Sequence, residues 1–393
     1  MNLKPIKELL MIPGPTMVPM DILLAQAQQM INHRGPKFLD IQRKIMQDGK
    51  KLFKTELGEI YVLTSSGTGA LEASVVNFSN VGDKVLVIEI GSFGERYTKI
   101  CRAYQRDVDV MTVTLGEPAD PKLVSEKIKS YPKGKLKAVF FQHNETSTGV
   151  LNPIAELSKA VRQNSDALVI CDSVSGLMSA DLQMDAWELD VVAAGSQKAF
   201  MTGPGIALVA VSPRAIEAMN GVKTQSFYFD LKAAKKFAEK GETPWTPSLP
   251  ILYGMSAAYD MIFKEGVDQV LFRHEMLMRA TRAGVQALGC SLLAKNEAMA
   301  SRAVTAVLPP AGIDAEKIRK LADKSWGVVF AGGQETLFGK IFRITHLGFT
   351  DPKDTLAALA CLELTLKQLG HSVSLGSGVA AAQTVFYNAA AKE

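Results

Sequence analysis

The sequence predicts an α/β fold in which a mostly parallel sheet is covered by helices on both faces. Between residues 58 and 211, seven short apolar runs alternate with segments whose apolar residues recur three and four positions apart. Runs that are apolar on both faces and separated by helices are typical of parallel strands buried on two sides. The chain has 393 residues, 47% of them hydrophobic and 21% charged, which is enough for such a core and a second domain.

The predicted elements follow a regular order in the first part of the chain. Helices follow the early strands at 69–80, 93–104 and 153–164, and a long helix is expected at 251–264. We expect an N-terminal arm, 1–20, and a large domain, 21–265. The predicted strands of the seven-stranded sheet are 60–66, 84–90, 108–114, 136–143, 167–173, 190–196 and 205–211.

A smaller α+β domain, 266–393, is predicted for the rest of the chain. Its helix at 267–288 precedes strands at 302–309 and 340–348 and an amphipathic helix at 352–369. The final segment, 372–393, is rich in small residues, so we expect it to be partly disordered.

Composition argues against several classes of function. The net charge is +4, with both signs interspersed, so no basic stripe points to nucleic acid. The five histidines are scattered, and none of the four cysteines lies in a C-x-x-C pair, so no metal site is expected. Cysteine usage, the absence of a signal-peptide pattern and short apolar runs predict a cytoplasmic protein that does not enter a membrane.

Five predicted strands end in polar residues. Ligands bind parallel sheets outside the carboxyl ends of the strands, so these segments should outline one site. The segments are TSSGTGALE (64–72), GSFGER (91–96), NETSTG (144–149), CDSVSG (171–176) and GSQKAF (195–200).

Three of these strand ends carry groups that suit one cofactor. Gly67 and Gly69 lie where a strand meets a helix, and amide groups freed at a helix start bind phosphate. Glu72 stands where a dinucleotide fingerprint needs glycine, which disfavours an NAD enzyme. Asp172 could hold a proton on a buried heteroaromatic nitrogen or could cap a helix, and Lys198 could form an imine. Phosphate site, carboxylate and lysine together fit pyridoxal 5′-phosphate.

At this level of detail the sequence resembles the class V, fold-type I aminotransferases, within them the alanine–glyoxylate and serine–pyruvate (serine–glyoxylate) group. The resemblance runs almost from end to end, leaving out only the last twenty or so residues. Its motifs are MIPGPTMVP (11–19), SSGTGALEA (65–73), ETSTGV (145–150), CDSV (171–174), GSQKA (195–199), SFYFD (226–230) and FRITHLG (342–348).

The resemblance implies a role for each matching residue. Lys198 would be the Schiff-base lysine, and Asp172 would be the partner of the pyridine nitrogen. Phe93, where the group often has tryptophan, would stack on the ring. Arg343 would grip the substrate carboxylate, and Gly14 would let the backbone approach the substrate. The other cofactor-binding residues would be Ser66, Gly67, Thr68, Thr146, Gln197 and, from a neighbouring subunit of a homodimer, Thr246.

Some of these residues also have purely structural interpretations. Arg343 could lie on the exposed face of a strand, Phe93 could be core, and Thr246 could brace a Pro-rich loop. His33 and Arg34 follow the arm and could border the site or be structural.

The resemblance implies transamination from a small L-amino acid, alanine or serine, to glyoxylate or pyruvate. Aspartate, phosphonate or ureidoglycine transamination remains open. Cysteine desulfuration is disfavoured because no cysteine lies between 291 and 360. A non-catalytic subunit that kept the fold is the remaining alternative.

Overall fold

The structure, a computed structural model, describes residues 4–391 as a mixture of helices and strands. The helices are α1 (Met20–Gln26), α2 (Pro36–Phe53), α3 (Gly67–Val76), α4 (Ser92–Ala103), α5 (Pro121–Lys129), α6 (Ile154–Asn164), α7 (Pro213–Asn220), α8 (Leu231–Ala238), α9 (Leu249–Glu265), α10 (Val267–Ala287), α11 (Ala315–Trp326), α12 (Pro352–Gln368) and α13 (Ser377–Ala390). The strands are β1 (Leu9–Met11), β2 (Glu59–Ser65), β3 (Lys84–Glu89), β4 (Asp107–Thr112), β5 (Leu136–Gln142), β6 (Asn144–Glu145), β7 (Val150–Leu151), β8 (Leu168–Asp172), β9 (Val191–Gly195), β10 (Gly205–Val211), β11 (Ser291–Leu292), β12 (Val304–Leu308), β13 (Val328–Gly332) and β14 (Phe342–Thr345).

The large sheet confirms the predicted mostly parallel architecture. Its seven strands lie in the order β2-β10-β9-β8-β5-β3-β4. Only β10 runs against its neighbours, since it pairs antiparallel with both β2 and β9. The other six strands therefore run in one direction, and their carboxyl ends meet at one edge of the sheet.

Strict alternation along the central strands produces two core layers. In β8, Val169 and Cys171 join one apolar cluster, while Leu168 and Ile170 join the cluster on the opposite face. Successive side chains in a strand point to opposite faces, so a run that is apolar throughout must be buried on both sides. Each fully buried aliphatic side chain contributes about 1.5–3 kcal/mol, which holds the strand ends in fixed positions.

A second, five-stranded sheet joins β1, near the start of the chain, to four strands that follow residue 290. Its order is β1-β13-β14-β12-β11, and β1 pairs parallel with β13, Leu9 opposite Val328. Residues 9–11, predicted as part of a separate N-terminal arm, therefore belong to this sheet. Among the described residues, no helix combines the length and the apolar character needed to cross a membrane.

The described part of the C-terminal segment, whose composition predicted partial disorder, contains a helix. Residues 377–390 form α13, which packs against α10. The small residues that suggested disorder permit this packing, because a Cβ on Gly284 of α10 would lie 3.1 Å from the carbonyl oxygen of Gly378. Glu363 on α12 fixes the start of α13 by accepting hydrogen bonds from its first amide groups.

Candidate active site

Three polar strand ends converge at the carboxyl edge of the large sheet. Asp172 ends β8 and pairs in register with Ala193 of β9, three residues before the Ser196–Lys198 turn. The β2–α3 turn reaches the same place, since a Cβ on Gly195 would lie 3.3 Å from the Cα of Gly67. The predicted phosphate loop, carboxylate and lysine therefore share one site.

The start of α3 has backbone amide groups that could bind an anion. Ser66 is the N-cap residue, yet its side chain makes no capping hydrogen bond, so it does not occupy the first amide groups of the helix. Bulkier residues would not fit the turn, because a Cβ on Gly67 would lie 2.7 Å from Cγ1 of Val174. Arg96, on α4, donates to Oγ1 of Thr68 at 3.2 Å and brings a positive charge to the same turn.

Asp172 is buried and perturbed. Its Oδ1 accepts a hydrogen bond from the amide of Val174 at 2.9 Å, and only turns follow it, so the helix-cap interpretation is wrong. Burial raises the pKa of Asp172 to about 7, and the charge of Glu145 adds to this rise, while Arg96 and Lys198 oppose it. The Asp172 carboxyl group can therefore share a proton with a basic nitrogen near neutral pH.

Lys198 points toward the N-terminal arm. Its Nζ donates to the carbonyl of Pro13 at 2.5 Å, and a Cβ on Gly14 would lie 2.7 Å from Nζ. Thr16 secures the arm, because its Oγ1 donates to the Lys198 carbonyl at 3.0 Å. Burial, together with the Arg343 charge, lowers the pKa of Lys198 to about 8, and the Asp172 charge opposes this change. Such an amine is neutral far more often than an exposed lysine.

Arg343 lies inside the protein, so the exposed-face interpretation is wrong. Only 5% of the residue is exposed. From β14, its Nε donates to the Gly332 carbonyl at 2.8 Å and its Nη1 to the Thr146 carbonyl at 2.9 Å. These bonds leave Nη2 available to a ligand. Burial lowers the pKa of Arg343 to about 10, and the Glu145 charge opposes this.

Phe93, Thr146 and Gln197 are three further residues that the sequence predicted to contact the cofactor. Phe93 is half-buried in the first turn of α4, and the Arg96 guanidinium lies 4.7 Å from its ring centroid. Thr146 is buried, with Oγ1 2.7 Å from the Ser175 hydroxyl. Gln197 follows Ser196 in the lysine turn, and its Oε1 is buried without a hydrogen-bond partner in the described chain.

Thr246, His33 and Arg34 are not brought into this group. Thr246 is exposed on the loop before α9, so its predicted role in a neighbouring subunit stays a prediction. Arg34 instead bonds Glu242 at 2.8 Å.

Two charged residues of the site escaped the sequence analysis. Arg96 contacts both Thr68 and Phe93, and Glu145 is buried beside the start of α4. Both lie in polar segments that the sequence analysis named, GSFGER and NETSTG. Their charge within a strand end was the only available signal, and it did not indicate what they contact.

The residues present fit pyridoxal phosphate. Free amides at α3 and the Arg96 cation suit a phosphate, Asp172 suits a pyridine nitrogen, and Lys198 suits an aldehyde. The unpartnered Gln197 Oε1 shows that a polar group of the site is left unsatisfied by the chain itself. No cluster of three or more potential metal ligands occurs in residues 4–391.

The family model described as "Aminotransferase class-V" matches residues 21–348. The chain belongs to the class-V aminotransferase family. It is therefore an aminotransferase, and pyridoxal phosphate is the cofactor that membership implies. The fold-type I architecture expected from the sequence is confirmed by the similarity of this structure to solved aminotransferases.

Relatives of this aminotransferase carry different names. The "Soluble hydrogenase 42 kDa subunit" of Anabaena cylindrica is 42% identical over 97% of this chain and 99% of that protein. The serine–glyoxylate aminotransferase of Arabidopsis thaliana is 35% identical, covering 95% of this chain and 94% of the relative. The solved ureidoglycine–glyoxylate aminotransferase of Bacillus subtilis is 27% identical, with a TM-score of 0.90 over 98% of this chain and 100% of that one.

Proposed function

We propose that this aminotransferase moves the amino group of alanine or serine to glyoxylate or pyruvate in a ping-pong reaction that uses pyridoxal phosphate. The observation that carries the proposal is the grouping of three buried or half-buried charged residues whose charges act on one another. Asp172 and Lys198 lie at the carboxyl edge of the large sheet, and Arg343 faces them from β14 of the five-stranded sheet. The names of the Arabidopsis and Bacillus relatives support glyoxylate as the acceptor.

Each residue has a distinct task in this proposal. The α3 amides, Thr68 and Gln197 would hold the cofactor phosphate, and Phe93 would pack against its ring. Bound pyridoxal phosphate supplies an electron sink for the carbanion that forms at the substrate Cα. Asp172 keeps the pyridine nitrogen protonated through a buried charge-assisted hydrogen bond.

Lys198 and Arg343 act on the substrate. Lys198 would hold the cofactor aldehyde, and as a free amine it would accept the proton from the substrate Cα. Arg343 is anchored by two carbonyls, so its remaining donors can bind a carboxylate in a fixed orientation. The backbone of Pro13 and Gly14 lies against Lys198, which favours a small substrate side chain.

We further propose a homodimer with shared active sites. The single chain exposes apolar side chains on α1, with Leu24 62% exposed, and on the 226–230 segment, with Phe227 80% exposed. Exposed patches of this kind mark protein interfaces. In such a dimer Thr246 would reach the cofactor phosphate of the other subunit. The described cysteines are free, which suits the reducing cytoplasm.

The decisive experiment is the visible absorption of the purified protein with L-alanine or L-serine. We expect a yellow band that bleaches with either donor and returns with glyoxylate. The variant Lys198→Arg keeps the charge but should lose the donor-dependent change and lower the rate by ~10³-fold or more.

Other outcomes would redirect or end the proposal. A band that responds only to ureidoglycine, aspartate or a phosphonate would replace the donor. If added pyridoxal phosphate gives no band, the proposal fails, and a non-catalytic subunit that kept the fold becomes the better account.

A further inference from the structure

Glu145 is a fully buried carboxylate at the start of α4. It lies on β6, in the polar segment that follows β5, and none of its surface is exposed. Its Oε2 accepts hydrogen bonds from the amides of Phe93 at 3.1 Å and Gly94 at 3.2 Å. Its Oε1 accepts from the Ser147 hydroxyl at 2.6 Å and the Ser147 amide at 3.1 Å. Glu145 is the acceptor in all four of these bonds, as expected for an ionised carboxylate.

The chain leaves room for this carboxylate. A Cβ on Gly91 would lie 2.6 Å from Cδ of Glu145 and 2.4 Å from the Ser147 hydroxyl, so any larger residue would displace the group. The first turn of a helix carries partial positive charge, and buried hydrogen bonds to a carboxylate are stronger than neutral ones. Glu145 therefore fixes the first turn of α4 from outside the helix.

Two site residues depend on this arrangement. Phe93, which is proposed to pack against the cofactor ring, has its amide held directly by Glu145. Thr146, the next residue along the chain, supplies the carbonyl that Arg343 Nη1 bonds at 2.9 Å. The Glu145 charge also raises the pKa values of Asp172 and Arg343, so it acts on both across the site.

We propose that Glu145 is a positioning residue of the aminotransferase, which fixes the Phe93 ring for the cofactor and the Thr146 carbonyl for Arg343. The proposal rests on the function proposed above and names a part of the site that does not touch substrate or cofactor. Its effect is mechanical through α4 and β6, and electrostatic through its charge.

Glu363 provides a matched control. It is also buried, with 3% exposed, and it accepts from the amides of Gly376 at 2.6 Å, Gly378 at 2.8 Å and Val379 at 3.0 Å at the start of α13. Glu145→Gln and Glu363→Gln thus make the same chemical change at two buried helix starts. We expect both to lower Tm by a similar few degrees, about 1–4 °C.

Only Glu145→Gln should change the site. The Kd of the apoprotein for pyridoxal phosphate, measured by fluorescence titration, should rise about tenfold or more, as should KM for the amino donor, while Glu363→Gln leaves both unchanged. Two variants that differ only in Tm from the parent, and not from each other, would reduce Glu145 to a structural cap.

Ser147→Ala keeps the test decisive if Glu145→Gln does not fold. It removes the hydroxyl that donates to Oε1 and accepts from the Ser92 amide at 3.0 Å, while the carboxylate itself stays, so Kd and KM should shift in the same direction by a smaller factor. Unchanged values would overturn the proposal. A parent protein without a cofactor band would instead overturn the proposed function, so the two failures are distinguishable.

Discussion

Glu145 and Glu363 make the same local structure in two regions of the molecule. Each is buried and holds backbone amides at the start of a helix, α4 for Glu145 and α13 for Glu363. The regions differ in what the capped helix carries. The first turn of α4 contains Phe93 and is followed by Arg96, whereas α13 packs against α10.

This difference shows that a capped helix start has no function of its own. A buried carboxylate satisfies the amide groups that a helix leaves unpaired, and this is sufficient reason for Glu363. At Glu145 the same bonds also fix side chains that converge with Lys198, Asp172 and Arg343. The two regions differ in their surroundings. The start of α4 lies near charged residues whose pKa values are shifted, whereas α13 makes ordinary packing contacts.

The largest expected difference is in the pH dependence of lysine reactivity. Burial, with the charges of Arg343 and Arg96, lowers the pKa of Lys198 to about 8, and Asp172 opposes this change. Part of the amine is therefore uncharged already at pH 7. At pH 7 roughly one amine in ten would be neutral, compared with roughly one in a few thousand for an ordinary lysine, a difference of about two orders of magnitude.

Selective amine labelling of the apoprotein, read by peptide mass spectrometry from pH 6 to 10, measures this. Lys198 labelling should level off above about pH 8. Lys84, at the amino end of β3, is the internal control, because its hydrogen bond to Asp107 raises its pKa and its labelling should still climb at pH 10. Parallel curves for the two lysines would contradict the electrostatic account.

Much of the site could be predicted because the positions of the strands and their polar ends are local features of the sequence. The seven strands, and with them the positions of Asp172 and Lys198, follow from apolar runs that end abruptly. The antiparallel direction of β10 could not be predicted, since an apolar pattern is the same when read in either direction. The three-residue β1 is too short to signal its pairing with β13.

The features that sequence analysis missed depend on contacts between distant segments. Glu145 is buried only because α4 and the β6–β7 pair close around it, and its string of polar neighbours looks like a loop. Helix α13 packs closely against α10 because both helices have small residues at the contact, although the composition of the segment favours disorder in isolation. The role of Thr246 depends on a second copy and stays a prediction.

The next expected effect compares two buried arginines. Arg343 and Arg282 both donate to backbone carbonyls, Arg282 to Ala294 at 2.9 Å and Lys295 at 3.3 Å, but only Arg343 lies at the site. Arg343→Gln should raise KM for amino acid and oxo acid by ~10–100-fold, the loss of a charge-assisted bond to a carboxylate.

Steady-state kinetics and thermal unfolding of both arginine variants separate binding from stability. Arg282→Gln should lower Tm and leave KM unchanged. If Arg343→Gln lowers Tm in the same way without raising KM, Arg343 is a structural residue and the substrate carboxylate is bound elsewhere.

The smallest expected effect compares two crowded glycines. Gly14 has φ of +129°, and a Cβ there would lie 2.7 Å from Lys198 Nζ, so Gly14→Ala must displace the lysine or strain the arm. Gly284 lies in α10, where a Cβ would lie 2.4 Å from Cδ1 of Leu359. Overpacking costs about 1–3 kcal/mol, and the better helix propensity of alanine offsets up to about 1 kcal/mol of it.

We therefore expect Gly14→Ala to lower kcat by about tenfold, because small displacements of a reacting group are costly, and to lower Tm slightly through backbone strain. Gly284→Ala should lower Tm slightly and leave kcat intact. Differential scanning calorimetry together with the rate of donor-induced bleaching measures both. A Gly14→Ala protein that is fully active would mean that the arm can move away from Lys198, and that the close contact seen between them does not shape the site.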